Sequence, residues 1–206
     1  MGVFAEFPWL QRKIYPEFRH ITEDLQSHLT QIGVDSEILN SKEESAITHK
    51  VPTFGNNPLF SPPLGVIKVK NRNMDFIELK VRRRNWGETT AHYVHCIYAV
   101  HGNIKNEDKY WASNQGGDIW FGDRLAEVLN ADNELKTMLN DMDNPPIIVM
   151  GIKSDAYVAI YKDAVGTRSR TTRLPTFGIG DYPSLDELKM YDRIAGHVKE
   201  LITLSW

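Results

Sequence analysis

Hydrophobic and polar residues alternate with a period of two in three consecutive segments, which predicts three β-strands. The segments span residues 66–70, 75–84 and 90–101, and successive side chains of a strand point to opposite faces. Residues 71–73 and 85–87, which separate them, contain the Asn and Gly residues typical of tight turns. We therefore predict a three-stranded antiparallel meander.

The middle segment, residues 75–84, alternates most clearly. One face carries aliphatic side chains, namely Ile77, Leu79 and Val81. The other face carries Phe76 and four charged side chains, namely Glu78, Lys80, Arg82 and Arg84. Because an antiparallel sheet commonly packs one face on the core and leaves the other in water, we expect the charged face to be exposed to solvent.

Apolar residues repeat at intervals of three and four in three other regions, which predicts amphipathic helices. The first region is residues 16–33, and the second is residues 125–142 with a polar interruption at residues 130–133. The third begins at Ser184 and Glu187, whose spacing is that of a capping box.

A second hairpin is predicted by the alternation in residues 147–153 and 157–162. Residues 34–64 are rich in acidic residues, Pro and Asn, and they predict a long surface loop. The element order indicates an α+β fold: a mainly antiparallel sheet, made of the three-stranded meander and the second hairpin, packed against two to three amphipathic helices. We predict a single globular domain over residues 1–206, since this length suits one core.

The composition is that of a globular protein, with 41% hydrophobic and 25% charged residues among 206. A net charge of -3 argues against binding of nucleic acid through bulk electrostatics. The one cysteine, Cys96, cannot form an internal disulfide, and no apolar run reaches the roughly 20 residues that span a bilayer. We therefore expect a soluble, cytoplasmic protein without a membrane span.

The sequence Glu78-Leu79-Lys80 places an acid and a lysine on one strand face. It resembles the metal-binding core of the PD-(D/E)xK nucleases, and the predicted element order is loosely similar to theirs. The resemblance implies a metal-dependent nuclease in which Glu78 helps to hold Mg²⁺ or Mn²⁺ and Lys80 positions or activates the attacking water. That family carries its first acid on the preceding strand, but residues 66–70 contain none, and Asp75 lies three residues from Glu78, toward the opposite face.

Cations cluster on the same predicted strands. The candidate ligand-binding residues are Lys68, Lys70, Lys80, Arg82, Arg84 and Trp86. A second basic cluster consists of Arg168, Arg170 and Arg173. Such a face suits phosphate groups, although charged edge strands also discourage aggregation. No motif identifies a substrate, so we interpret the chain as a small non-enzymatic binding or assembly domain whose basic sheet face takes an anionic or protein partner, with the nuclease as the alternative.

Histidine and tryptophan residues do not predict a further site. His95 and His101 share a face but are about 20 Å apart along the strand, and His92 faces the other way. No metal site is therefore predicted from them. Trp111 and Trp120 lie beside apolar stripes, where packing accounts for them.

Overall fold

The computed structural model of this chain describes residues 20–40, 42–43, 63–86, 89–102, 110–152, 157–162 and 182–204. Its strands are β1 (Ser36–Ile38), β2 (Pro63–Val69), β3 (Phe76–Trp86), β4 (Thr89–His101), β5 (Ala112–Ser113), β6 (Phe121–Gly122), β7 (Ile147–Ile152) and β8 (Tyr157–Lys162). Its helices are α1 (Ile21–Gln31), α2 (Arg124–Ala131), α3 (Asn133–Asp141) and α4 (Leu185–Thr203).

The eight strands of the described segments form one sheet in the order β1-β2-β3-β4-β8-β7-β5-β6. All neighbouring strands run antiparallel. The predicted α+β fold with an antiparallel sheet is thus confirmed. The predicted three-stranded meander is present as β2–β3–β4 and the second hairpin as β7–β8, and pairing of β8 with β4 joins them into the same sheet.

Three strands lie where none was predicted. β1 falls within residues 34–64, so the prediction of an unbroken loop is wrong there; β1 pairs with β2 at the edge of the sheet. Residues 41 and 44–62 of that predicted loop lie outside the described residues. β5 and β6 contain two residues each, too few to show any alternation. β5 is paired with β7, more than thirty residues later, and β6 is paired with β5.

One face of the sheet carries the helices and the main core. Buried register partners form a row across this face, namely Ile67, Ile77, Tyr98, Ile160, Val149 and Ala112. The ring of Tyr98 stacks on Tyr191 of α4 with 4.1 Å between ring centroids. Thr22 of α1 approaches Gly65 of β2 so closely that a Cβ at position 65 would lie 2.5 Å from Thr22 Oγ1. Helices and sheet therefore share one hydrophobic cluster.

The opposite face of the sheet is also buried in its central part. Val66, Glu78 and Ile97 are register partners on β2, β3 and β4, and all three are fully buried. Ala99 and Ala159 are buried beside them. The expectation that the charged face of β3 meets solvent is therefore wrong at Glu78. Alternation determines which residues share a face, but it does not determine which face is covered.

α4 follows its predicted start closely. Glu187 N–H donates to Ser184 Oγ and Ser184 N–H donates to Glu187 Oε2, both at 3.1 Å, so the predicted capping box is confirmed. The predicted helical region at residues 125–142 is two helices, α2 and α3, which meet at Asp132. Residues 16–19 of the first predicted helix lie outside the described residues. Within the described segments, none of the helices is both long enough and apolar enough to cross a bilayer.

Candidate functional site

β3 and β4 form a hairpin that extends past the strands on either side of it. The two strands pair from one end of β3 to the other. β2 pairs with β3 only as far as Lys80, and β8 pairs with β4 only from Ile97 onward. Among the described strands, residues 81–86 and 89–96 therefore pair only with each other. We call this segment the β-ribbon, and its β3 side is about 20 Å long at roughly 3.3 Å per residue.

The β-ribbon carries positive charge. Arg82, Arg83 and Arg84 are consecutive in β3, and neither segment of the β-ribbon contains an Asp or a Glu. The register places Arg82 opposite Tyr93 and Arg84 opposite Ala91. Directly opposed residues of an antiparallel pair share a face, so Arg82 and Arg84 stand at positions of one face and Arg83 stands on the other.

Four of the predicted site residues occupy one continuous face of β3. We call the register positions of Lys80, Arg82, Arg84 and Trp86 the cationic face. Cation positions recur on it at intervals of about 7 Å, which is two residues of strand. β4 adds the positions of Tyr93 and of His95, which lies opposite Lys80. The sequence does not reveal that these two belong to the site, since the faces of two strands can be matched only once their register is known.

The remaining two candidates, Lys68 and Lys70, lie near the other end of β2, away from Lys80. Lys68 Nζ is 3.6 Å from Glu37 Oε1, and Lys70 Nζ is 3.0 Å from Glu37 Oε2 and 3.8 Å from Asp35 Oδ1. The hydrogen bond and charge of Lys70 lower the pKa of Glu37, and Glu37 raises the pKa of Lys70. The fold thus separates these two lysines from the cationic face and sets acids beside them.

Glu78, the proposed metal ligand of the nuclease alternative, lies one alternation step from Lys80 on the same face of β3. It is fully buried, and its direct neighbours across the two adjoining strands are Val66 and Ile97. Aliphatic side chains cannot ligate a metal. A second oxygen ligand for Mg²⁺ or Mn²⁺ would therefore have to come from a position that is not directly opposite Glu78.

Asp75, the acid nearest to Glu78 in sequence, makes contacts that join the sheet to α4. Its Oδ1 lies 3.0 Å from Lys199 Nζ, and its Oδ2 accepts the backbone N–H of His101 at 2.8 Å. Within the described part of the chain, no group of three or more His, Cys, Asp or Glu side chains is placed to hold a metal ion. The roles proposed for Glu78 and Lys80 stay predictions.

Cys96 lies on the helix-bearing face of β4, opposite Leu79, and packs against the core. Burial raises the pKa of its thiol to about 12. A thiol with such a pKa is almost entirely protonated at neutral pH and is a weak nucleophile. We therefore infer that Cys96 contributes to packing of the core.

The sequence does not predict a second distinctive surface, at the β5–β6 edge of the sheet. Trp120 is buried, in keeping with the packing role expected of it, whereas 41% of Trp111 is exposed although its ring lies against Gly122. Phe121 is also half exposed. The sequence does hold a signal, because Ile119, Trp120 and Phe121 stand between glycine and aspartate residues, but this composition resembles that of an ordinary loop.

The second basic cluster of Arg168, Arg170 and Arg173 lies outside the described residues. A scan of protein-family models, a search of curated proteins and a search of solved structures each give no match for this chain.

Proposed function

We propose that this chain is a binding domain that takes a phosphate-bearing partner on its cationic face. The observation that supports the proposal is that β3 and β4 continue to pair beyond the ends of β2 and β8, so that the alternating positions of Arg82 and Arg84 fall in a two-stranded segment. Guanidinium groups bind phosphate oxygens through pairs of parallel hydrogen bonds, and ammonium groups bind them as point charges. Tyr93 and Trp86 add aromatic positions to the same face.

Nucleic acid is the phosphate-bearing partner that we expect. A two-stranded ribbon has a width that the major groove of a duplex admits, and aromatic positions among cations suit the stacking of unpaired bases. The chain as a whole carries a net charge of -3. Attraction must therefore come from the local charge of the β-ribbon, and binding should weaken steeply as salt concentration rises.

The test compares charge reversal on the two faces of the β-ribbon. Arg82→Glu and Arg83→Glu change the net charge equally, but the two positions are on opposite faces. Fluorescence anisotropy with labelled single-stranded and duplex oligonucleotides would measure affinity. We expect Arg82→Glu to weaken binding about tenfold or more, Arg83→Glu to weaken it much less, and both melting temperatures to stay near that of the unaltered chain.

Three results would contradict the proposal. Equal loss in the two variants would mean that net charge, not the cationic face, drives association. Absence of oligonucleotide binding by the unaltered chain would remove the expected partner. Binding only to vesicles that contain anionic lipid would move the partner from nucleic acid to a membrane surface.

The nuclease alternative keeps one supporting observation, namely that Glu78 lies one step from Lys80 on the same face. It predicts that Mg²⁺ or Mn²⁺ supports cleavage of the bound oligonucleotide. Glu78→Gln should abolish this cleavage and leave binding in place. Intact oligonucleotide after incubation of the unaltered chain with either metal would exclude the alternative.

A reducing cytoplasm is the compartment that fits this proposal. Cys96 is the one cysteine of the sequence, so no disulfide within the chain can stabilise the fold. Its raised pKa keeps the thiol unreactive. Nucleic acid is present in the same compartment.

A further inference from the structure

Three apolar side chains are exposed together at the β6 edge of the sheet. Ile119 exposes 57% of its surface, Phe121 exposes 51% and Trp111 exposes 41%. Trp111 directly precedes β5, which pairs with β6 through Ser113 and Phe121. The carbonyl of Trp111 accepts the N–H of Asp123 at 3.3 Å, which closes the β5–β6 unit. We call Trp111, Ile119 and Phe121 the edge patch, and clustered exposed apolar surface of this kind commonly marks an interaction site.

Two buried or half-buried asparagines hold the backbone around the edge patch. Asn114 Nδ2 donates to the carbonyl of Pro145 at 3.0 Å, and Asn114 Oδ1 accepts the N–H of Ile147 at 2.7 Å. Asn130 bonds both backbone groups of Trp120, each at 2.8 Å. The edge is therefore not an open strand at Trp120, and a partner would meet side chains on a fixed backbone. Such preorganisation lowers the entropic cost of binding.

Several acidic residues lie close in sequence to the edge patch. Asp118 precedes Ile119, Asp123 lies next to the Trp111 carbonyl, and Glu127 follows one helical turn later, with its N–H bonded to the Asp123 carbonyl at 3.3 Å. Arg124 is the one Lys or Arg among residues 118–127. Before Trp111 the sequence has Glu107, Asp108 and Lys109, so acidic residues outnumber cations in the sequence next to the edge patch. A complementary partner would present positive charge next to apolar side chains.

We propose that the edge patch docks a segment of a partner protein in which apolar side chains are flanked by Lys or Arg. The inference does not depend on the function proposed for the β-ribbon. Four strand steps separate β4 from β6, which is about 19 Å at roughly 4.8 Å per step. The two surfaces have opposite charge, so they would bind different partners at the same time, and the domain would link them.

The test uses two synthetic peptides of equal length and identical apolar residues, one with Lys and one with Glu at the charged positions. Calorimetry measures the affinity of each for the whole chain. We expect the Lys peptide to bind at least about tenfold more tightly than the Glu peptide. The double variant Ile119→Ser, Phe121→Ser should bind the Lys peptide about tenfold more weakly, or weaker still.

Two further variants sharpen this test. Leu204→Ser is the control, because Leu204 exposes 72% of its surface outside the edge patch, and it should leave affinity unchanged. The double variant Asp123→Asn, Glu127→Gln should lose most of the preference for the Lys peptide. The change at Asp123 should not disturb α2, because the Asp123 side chain makes no cap hydrogen bond there.

Four outcomes would overturn the proposal. Equal affinity for the two peptides would remove the charge complementarity. Unchanged binding in the Ile119→Ser, Phe121→Ser variant, with its circular dichroism intact, would remove the edge patch. Equal weakening by Leu204→Ser would indicate general adsorption to apolar surface. Self-association of the unaltered chain that the edge-patch variant abolishes would make the occupant a second copy of this chain.

Discussion

Asp132 joins α3 to α4, and its replacement is the sharpest test of how this fold is stabilised. Its Oδ1 accepts the N–H groups of Glu134 and Leu135 at 3.1 and 3.0 Å, which caps α3. Arg193 of α4 donates from Nε to Oδ2 at 2.5 Å and from Nη2 to Oδ1 at 2.8 Å. His197 Nε2 lies 2.7 Å from Oδ2. The side chain of Asp132 is only 5% exposed.

Two substitutions separate the cap of Asp132 from its charge. Asparagine caps a helix about as well as aspartate, whereas alanine does not, a difference of about 1 kcal/mol. Removal of one partner from a buried ion pair costs roughly 3–5 kcal/mol, but Arg193 is 33% exposed, so solvent screening lowers this to about 2 kcal/mol. We expect Asp132→Asn to lose about 2 kcal/mol of unfolding free energy and Asp132→Ala about 3 kcal/mol.

The pH dependence has a definite sign. Burial alone would raise the pKa of Asp132, but hydrogen bonds from Arg193, His197 and the Leu135 N–H, with the charge of Arg193, outweigh it and hold the pKa well below its usual range. The folded state therefore binds the ionised form better. The resulting stabilisation is complete above the unfolded pKa of about 3.9 and is lost as the pH falls from there toward the folded value.

Urea unfolding followed by circular dichroism over a series of pH values measures these differences. Glu134→Gln is the matched control: Glu134 contacts the same Arg193 at 2.6 Å, but its side chain is 62% exposed, so it should lose less than about 0.5 kcal/mol. If Asp132→Asn is as stable as the unaltered chain near neutral pH, the charged contact contributes nothing. If the difference stays constant below about pH 4, the ionised form is not what stabilises the fold.

Two further predictions concern the interior. Gly65→Ala should lose about 1–3 kcal/mol of unfolding free energy, since its Cβ would lie 2.5 Å from Thr22 Oγ1. Adding Thr22→Ala to this variant should restore part of the lost stability. If urea unfolding shows that the effects of the two substitutions are strictly additive, the two positions are not in contact. The pKa of Cys96, about 12, leaves roughly one thiolate in 10,000 at about pH 8; a disulfide reagent should therefore react at least about a hundredfold more slowly with the native chain than with the urea-unfolded chain, and equal rates would show that the thiol is accessible and ionisable in the fold.

Local features of the fold could be predicted because the residues that make them are close in sequence. The capping box of α4 needs only Ser184 and Glu187, three residues apart, and both of its hydrogen bonds form. Alternation in β3 and β4 likewise predicted both strands and the shared face of Arg82 and Arg84. Between two adjacent predicted strands, an antiparallel hairpin is the shortest connection.

Features that depend on distant partners could not be predicted. β1 is only three residues long and forms because β2, more than twenty residues later, offers an edge. Its residue Glu37 then pairs with Lys68 and Lys70, which changes the predicted site. The positions of Tyr93 and His95 on the cationic face depend on the β3–β4 register in the same way.

The sequence by itself determined the identity of the main elements, the start of α4 and the alternation that groups Glu78 with Lys80 and Arg82. Only the tertiary structure decided that Glu78 on that face is fully buried and that β2 stops pairing with β3 at Lys80. Periodicity is a property of one segment and its backbone geometry. Burial is a property of everything that packs against that segment, and it is decided when the chain assembles.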